Sequence, residues 1–175
     1  MKKLLLAGIM LILFKTPAMA NNGIGNDCIW FSAGGGPKNT ISLGIGGRGK
    51  GNIGGEISFA YSSKYSDILD YPCPHSSYRI LDDKALDMAL GGDLIYFKDI
   101  KKTNITLYVG AGIYFLHYRK VARSTATGWL YEQDTDIDFE ATYTLGIQHQ
   151  VSQRGTFGIG YHSLRGICVK YIWAK

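Results

Sequence analysis

Beyond residue 28 the chain keeps returning to one pattern, an aliphatic or aromatic residue followed by a small or polar one. Period-two alternation is the mark of a β-strand whose two faces meet different surroundings. In residues 105–115, Ile105, Leu107, Val109, Ala111, Ile113 and Phe115 occupy one face, with Thr106, Tyr108, Gly110, Gly112 and Tyr114 on the other. In residues 137–148, Ile137, Phe139, Ala141, Tyr143, Leu145 and Ile147 alternate with Asp138, Glu140, Thr142, Thr144, Gly146 and Gln148. Similar runs occupy 29–35, 41–46, 54–61, 86–96, 157–162 and 167–173, which makes eight predicted strands.

An eight-stranded antiparallel up-and-down meander removes its exposed edges by closing into a barrel. The apolar face of such a barrel turns either inward, around a ligand in a soluble secreted carrier, or outward, to lipid. The other face decides between them: it is mostly Gly, Ala, Ser and Thr with a few acids, and small side chains suit the inside of a narrow cylinder. A water-facing exterior would carry long charged residues instead. The fold class is therefore all-β, an eight-stranded antiparallel transmembrane β-barrel.

The connections agree. About 22 residues separate Ser62 from Ala85 and about 17 separate Tyr118 from Asp136, lengths unusual for hairpin loops. The linkers near 47–52, 98–103 and 152–155 are short. If the first strand rises from the periplasm, both long loops are extracellular and the short turns and both termini are periplasmic, the asymmetry of outer-membrane barrels. Tyr61, Phe115 and Tyr161 would mark the external rim and Tyr96, Phe157 and Trp173 the periplasmic one, where aromatic rings suit the boundary between hydrocarbon and headgroups. Trp30 has the opposite parity, which places it inside the barrel or below the membrane.

The first twenty residues read differently. Met1, Lys2 and Lys3 give a basic start, residues 4–14 are apolar or small, and Ala18, Met19 and Ala20 supply a cleavage site, the anatomy of a signal peptide. Its apolar run falls short of the ~20 residues that a spanning helix needs. The barrel domain is then residues 21–175. Export removes Lys2, Lys3 and Lys15 from the nineteen basic residues and none of the fourteen acids, so the formal net charge falls from +5 to +2. That weakens any case for nucleic-acid binding. With 46% hydrophobic residues and 23 Gly without a three-residue period, the chain is neither disordered nor collagen-like. Cys28, Cys73 and Cys168 exclude a dense disulfide framework and fit no zinc spacing. One disulfide among them, or three free thiols, stay open, with Cys73 in the loop sequence Tyr71-Pro72-Cys73-Pro74.

With the signal peptide, the eight alternating strands and the terminal hairpin from Phe157 to Gly166, the chain resembles the small outer-membrane barrels of the OmpA/OmpX/opacity-protein type. It departs from them in ending Trp173-Ala174-Lys175 rather than on an aromatic residue. The resemblance implies a Gram-negative outer membrane and contact with its lipids and lipopolysaccharide. Such proteins include structural, adhesive and lipid-modifying members, and fold alone does not choose among them. A lipid A deacylase is the enzymatic alternative, because His162-Ser163 lies in the appropriate part of the chain. Adjacent strand residues point to opposite faces, however, and the deacylase pattern His-x-Ser-Asn is not matched. No cofactor, metal site or catalytic residue is assigned.

Two groups of residues remain as candidate sites. Glu56, Asp87, Asp93, Asp138 and Glu140 share the inward face with His162 and Lys170, as a polar network filling the lumen or, with their excess of negative charge, as a cation path. Tyr71 and Arg79 in the first long loop, and Arg119, Arg123 and Trp129 in the second, are residue types that anchor binding to an extracellular ligand, a host surface or lipopolysaccharide phosphates.

Overall fold

A computed structural model describes residues 28–174 except 37, 38, 50, 66 and 75. The expected signal peptide, residues 1–20, lies outside the described residues. The strands are β1 (Cys28–Gly36), β2 (Thr40–Arg48), β3 (Ile53–Ser62), β4 (Tyr78–Asp99), β5 (Ile105–Ser124), β6 (Leu130–Gln150), β7 (Gly155–His162) and β8 (Gly166–Ala174). Each pairs antiparallel with the next and β8 returns to β1, so the sheet closes as a barrel.

The alternating residues divide as their chemistry requires. Ile41, Leu43, Ile57, Leu94, Ile113, Ile137 and Ile167 are exposed on the outer surface, while Ser42, Glu56, Ser58, Asp93, Thr142, Thr144 and Lys170 are buried inside. An inward apolar face, as a soluble carrier would have, is not what the chain builds. The expected rim residues Tyr61, Phe115, Tyr161, Tyr96, Phe157 and Trp173 all point outward, and Trp30 is fully buried in the lumen.

Strand lengths divide the wall into a short side and a tall side. β1, β2, β3, β7 and β8 have 8 to 10 residues, whereas β4, β5 and β6 have 22, 20 and 21. The β3–β4 ladder stops at Tyr61↔Met88 and the β6–β7 ladder at Thr144↔His162, while β4, β5 and β6 stay paired up to Tyr78, Ser124 and Leu130. The three strands thus rise beyond the barrel as a blade. From Met88 to Tyr78 it extends about ten residues, or roughly 30 Å along the strand.

This corrects the expectation of two long loops. Residues 125–129 alone form the β5–β6 connection, and the β3–β4 connection is 63–77. Two causes hid the blade strands from an alternation reading. Register shifts at Ile80/Asp82, Asp82/Ala85, Leu86/Met88 and Lys120/Val121 break the period. Beyond the closed barrel, moreover, no face has to be apolar.

The 63–77 loop is tied down. Leu69 N–H donates to Leu130 O, Glu132 N–H donates to Leu69 O, and Tyr71 packs edge-on against Tyr131 at 5.6 Å. The loop therefore crosses the barrel mouth and covers the inner side of the blade near its tip.

Two apolar clusters fill the lumen. Cys28, Trp30, Ile95, Phe97, Tyr108 and Ile172 pack at the short-turn end, and Ala60, Leu86, Ala89, Tyr114, Leu116, Tyr118 and Leu164 pack toward the blade. Glycine makes room for the largest of these side chains: a Cβ on Gly46 would overlap the Trp30 indole.

Leu90 and Val109 are 55% and 56% exposed on the outer wall. Leu90→Arg or Val109→Arg should each destabilise the barrel in a bilayer by about 2–4 kcal/mol. Urea titration of the vesicle-inserted protein would measure this.

Candidate functional site

Between the two apolar clusters lies a layer of charge centred on Glu56 of β3. Its Oε1 accepts from Ser32 Oγ (2.7 Å) and Arg165 Nη1 (2.5 Å), and its Oε2 accepts from Trp30 Nε1 (2.7 Å) and Lys170 Nζ (2.5 Å). An ionised carboxylate offers about four acceptor positions, so Glu56 is saturated. Arg165 also donates from Nε to Ser42 Oγ (3.1 Å) and from Nη2 to Ser32 Oγ (2.7 Å). Lys170 Nζ lies 4.7 Å from the centre of the Tyr108 ring and 5.4 Å from that of Trp30, both cation–π distances.

Arg165 was not among the sequence candidates. It occupies the β7–β8 turn, where strand parity says nothing, yet it is 1% exposed and reaches into the lumen. The turn is built for this. Gly166 has φ +70°, and a Cβ there would strike the backbone of Gly35 and Gly36. The N–H groups of Leu164 and Arg165 both donate to His162 Nδ1, at 3.1 and 3.2 Å. The expected excess of negative charge in this layer is cancelled, because Arg165 and Lys170 together face Glu56.

A second group surrounds Asp93 of β4. It accepts from Tyr114 OH (2.8 Å), Thr142 Oγ1 (3.2 Å) and His162 Nε2 (3.2 Å). Because Tyr114 spends its single proton on Asp93, Ser58 Oγ donates to Tyr114 OH at 2.5 Å. With Nδ1 accepting two backbone N–H groups, His162 carries its proton on Nε2 and is committed to Asp93. Ser163, its neighbour in the enzymatic alternative, accepts from Tyr143 N–H on the β6 side. The two side chains diverge, so His162 has no geometry for activating that hydroxyl.

The remaining lumen candidates lie higher. Asp87 is buried and bonds His117 Nδ1 (3.0 Å) and Arg119 Nη2 (2.9 Å), under the 63–77 loop. Asp138 and Glu140 depart from expectation. Both lie on β6 above Thr144, where β7 has ended, so inward parity does not bring burial. The Asp138 side chain is 53% exposed and 3.5 Å from Lys84 Nζ, and Glu140 is half-buried.

The surface candidates are also redistributed. Arg119 lies within β5 rather than in a loop and is engaged by Asp87, Asp70 (3.5 Å) and Glu132 (3.2 Å). Arg79 and Arg123 belong to strands as well, directly opposite each other across β4 and β5, and both are exposed. Trp129, 61% exposed, is in the tip turn, and Tyr71 is exposed on the crossing loop. Cys73 and Cys168 are free thiols, and Cys28 and Cys168 are buried.

Near the foot of the blade, Lys64 Nζ donates to Asp82 Oδ2 at 2.7 Å. Partial burial raises the cost of the Asp82 charge, but Lys64 outweighs it and holds the carboxyl below its ordinary value. That contact is present at neutral pH and lost as pH falls through the lowered value. Acidification should therefore loosen the start of the 63–77 loop, seen as faster protease cleavage there. Lys64→Gln should be cleaved quickly at neutral pH and show a weaker acid response.

Glu56→Gln would leave Arg165 and Lys170 buried without a counter-charge, at a cost of about 3–5 kcal/mol in unfolding free energy. Adding Lys170→Met to Glu56→Gln should recover part of that loss in the same urea titration.

No protein-family model matches the chain, and no curated protein matches it. Among solved structures it is similar to a de novo designed transmembrane β-barrel, at 14% identity with a TM-score of 0.45, covering 86% of this chain and 96% of that one. It is also similar to Neisserial surface protein A, at 11% identity and 0.46, covering 88% and 100%. A third similar structure is the attachment invasion locus protein Ail of Yersinia pestis with the heparin analogue sucrose octasulfate, at 13% identity and 0.39, covering 83% and 92%.

Proposed function

We propose that this chain is a bacterial outer-membrane β-barrel that works without catalysis, holding the β4–β6 blade outside the cell as a contact surface. The observation that carries the reading is the apolar belt. Ile41, Leu43, Ile45, Ile57, Leu90, Leu94, Val109, Ile113, Leu145, Ile159, Ile167 and Val169 are all exposed around the cylinder. Water-soluble monomers rarely expose a contiguous apolar patch beyond a few hundred Å². Lipid removes that cost, and the closed ladder satisfies the backbone where no water is present. The packed lumen favours a solid post over a channel.

The blade supports the contact role through one unfavourable pairing. Like charges directly opposite on neighbouring strands repel, and Arg79 faces Arg123 in that way. Neither forms an ion pair with a carboxylate among the described residues. An external anion would relieve the repulsion, and exposed Trp129 at the adjacent tip adds a flat apolar anchor. Phosphates of lipopolysaccharide, or an acidic polymer on a host surface, have the required chemistry.

Fractionation tests the location. The protein should be recovered in the outer membrane and show heat-dependent migration on a denaturing gel; recovery in the detergent-free soluble fraction would overturn the reading. Arg79→Ser with Arg123→Ser should weaken binding to lipopolysaccharide by about tenfold, or ~1.4 kcal/mol, in a surface-capture assay. Unchanged binding would remove the blade tip from the contact.

A further inference from the structure

The two ends of the molecule treat charge in opposite ways. At the blade, cations are mostly matched within the protein: Lys64 with Asp82 (2.7 Å), Lys120 with Asp83 (2.8 Å), Lys84 with Asp138 (3.5 Å), and Arg119 with Asp87 (2.9 Å). At the short-turn end the balance is absent. Arg48, Lys98, Lys101, Lys102 and Arg154 gather at the feet of β2 and β4 and in the turns 100–104 and 151–154. Among the described residues of that end the one carboxylate is Asp99. It is already used, accepting from Thr106 Oγ1 at 2.5 Å and lying 3.5 Å from Arg48.

Lys98, Lys101, Lys102 and Arg154 are exposed and form no ion pair among the described residues. Lys102 moreover holds φ +65°, a conformation that disfavours residues with a Cβ, at the tip of its turn. Mutual repulsion among four such cations is a cost that the protein does not relieve from within.

Their position indicates where the counter-charge lies. Tyr96, Phe157, Tyr171 and Trp173 are exposed on the outer wall at this end, and Phe157 and Tyr171 pack at 5.0 Å. Such a ring belongs where hydrocarbon gives way to headgroups. Lys98 lies two residues beyond Tyr96 on the same strand face, and the two turns lie farther still from the hydrocarbon. The cations therefore stand at the level of lipid phosphates.

We propose that the short-turn end binds the phosphodiester headgroups of anionic phospholipids in the leaflet that surrounds it, through Lys98, Lys101, Lys102 and Arg154. This rests on the membrane reading given above and adds a lipid partner at the end away from the blade. Anionic lipid is drawn to this rim, relieves the repulsion between the cations, and fixes the depth of the barrel independently of what the blade touches.

The test uses the full mature barrel inserted in vesicles of phosphatidylcholine and phosphatidylglycerol at about three to one, with bromine on the acyl chains of one lipid or the other. Trp173, paired with Gly155 next to Arg154, reports the quenching on that side of the rim, and Tyr96→Trp in a Trp173→Phe background, two residues from Lys98, reports it beside the lysines; Trp30 is sealed in the lumen and Trp129 stands at the blade tip. Phosphatidylglycerol should be enriched around both reporters by about threefold over its bulk fraction, and high salt should abolish the enrichment. K98Q/K101Q/K102Q/R154Q should bring it to the bulk value, whereas R79Q/R123Q should leave it intact. Should the quadruple variant not insert, K98Q/R154Q and K101Q/K102Q are each expected to lose part of the enrichment. Quenching by the two lipids in proportion to their bulk ratio of about three to one in the unaltered protein overturns the proposal, as does enrichment that survives the neutralising changes or disappears in R79Q/R123Q. Heat-dependent gel migration separates the two readings. A folded band without lipid preference defeats this inference alone, while no folded band in any vesicle defeats the membrane reading and this one with it.

Discussion

Hydrocarbon offers a backbone no hydrogen-bond partner, so a sheet that crosses it must satisfy every strand from another strand. Closure of β8 onto β1 meets that requirement, and the rest of the molecule follows from it. Eight strands enclose a space only wide enough for side chains. Whatever points inward must be small or must find its partner within a few ångströms. Glu56 is the clearest outcome: its four acceptor positions are taken by donors from three parts of the wall, two on β1, one on β8 and one in the β7–β8 turn.

Buried ion pairs contribute little net stability compared with good apolar packing. Here the larger role of the charge layer is to specify arrangement. Arg165 and Lys170, from the last hairpin, reach Glu56, Ser32 and Ser42 of the first three strands. A one-residue slip of β8 against β1 would turn Lys170 toward lipid and leave Glu56 short of a donor. The polar layer thereby selects one register from several that the outer apolar face would tolerate.

The barrel part of each strand was legible in the sequence because an apolar exterior and a crowded interior impose a strict period. Inward parity likewise identified Glu56, Asp93, His162 and Lys170 as side chains directed into the lumen. The same rule failed where its physical basis ends. Arg165 lies in a turn, outside any alternation, and only the three-dimensional return of the chain brings it inside. Asp138 and Glu140 have inward parity on a strand that has outgrown its neighbour, so there is no wall opposite to bury them. Arg79, Arg119 and Arg123 read as loop residues because bulges and water on both faces erase the period. The sequence carried no sign that residues 63–77 would cross the mouth, since that path depends on backbone bonds from Leu69 to the distant edge of β6.

The unequal walls have one more consequence. A cylinder of even height can spin about its axis without altering what its surroundings meet, but this one is notched above β7, β8, β1, β2 and β3 and raised over β4 to β6. Its exterior profile is therefore directional, like a sail on one side of a mast. Neighbouring molecules that approach over β7 encounter the β6 edge with the 63–77 loop paired to it near the tip, and those that approach over β3 meet β4. Azimuth, which a uniform apolar belt leaves undetermined, becomes a variable that crowding around the blade can sort.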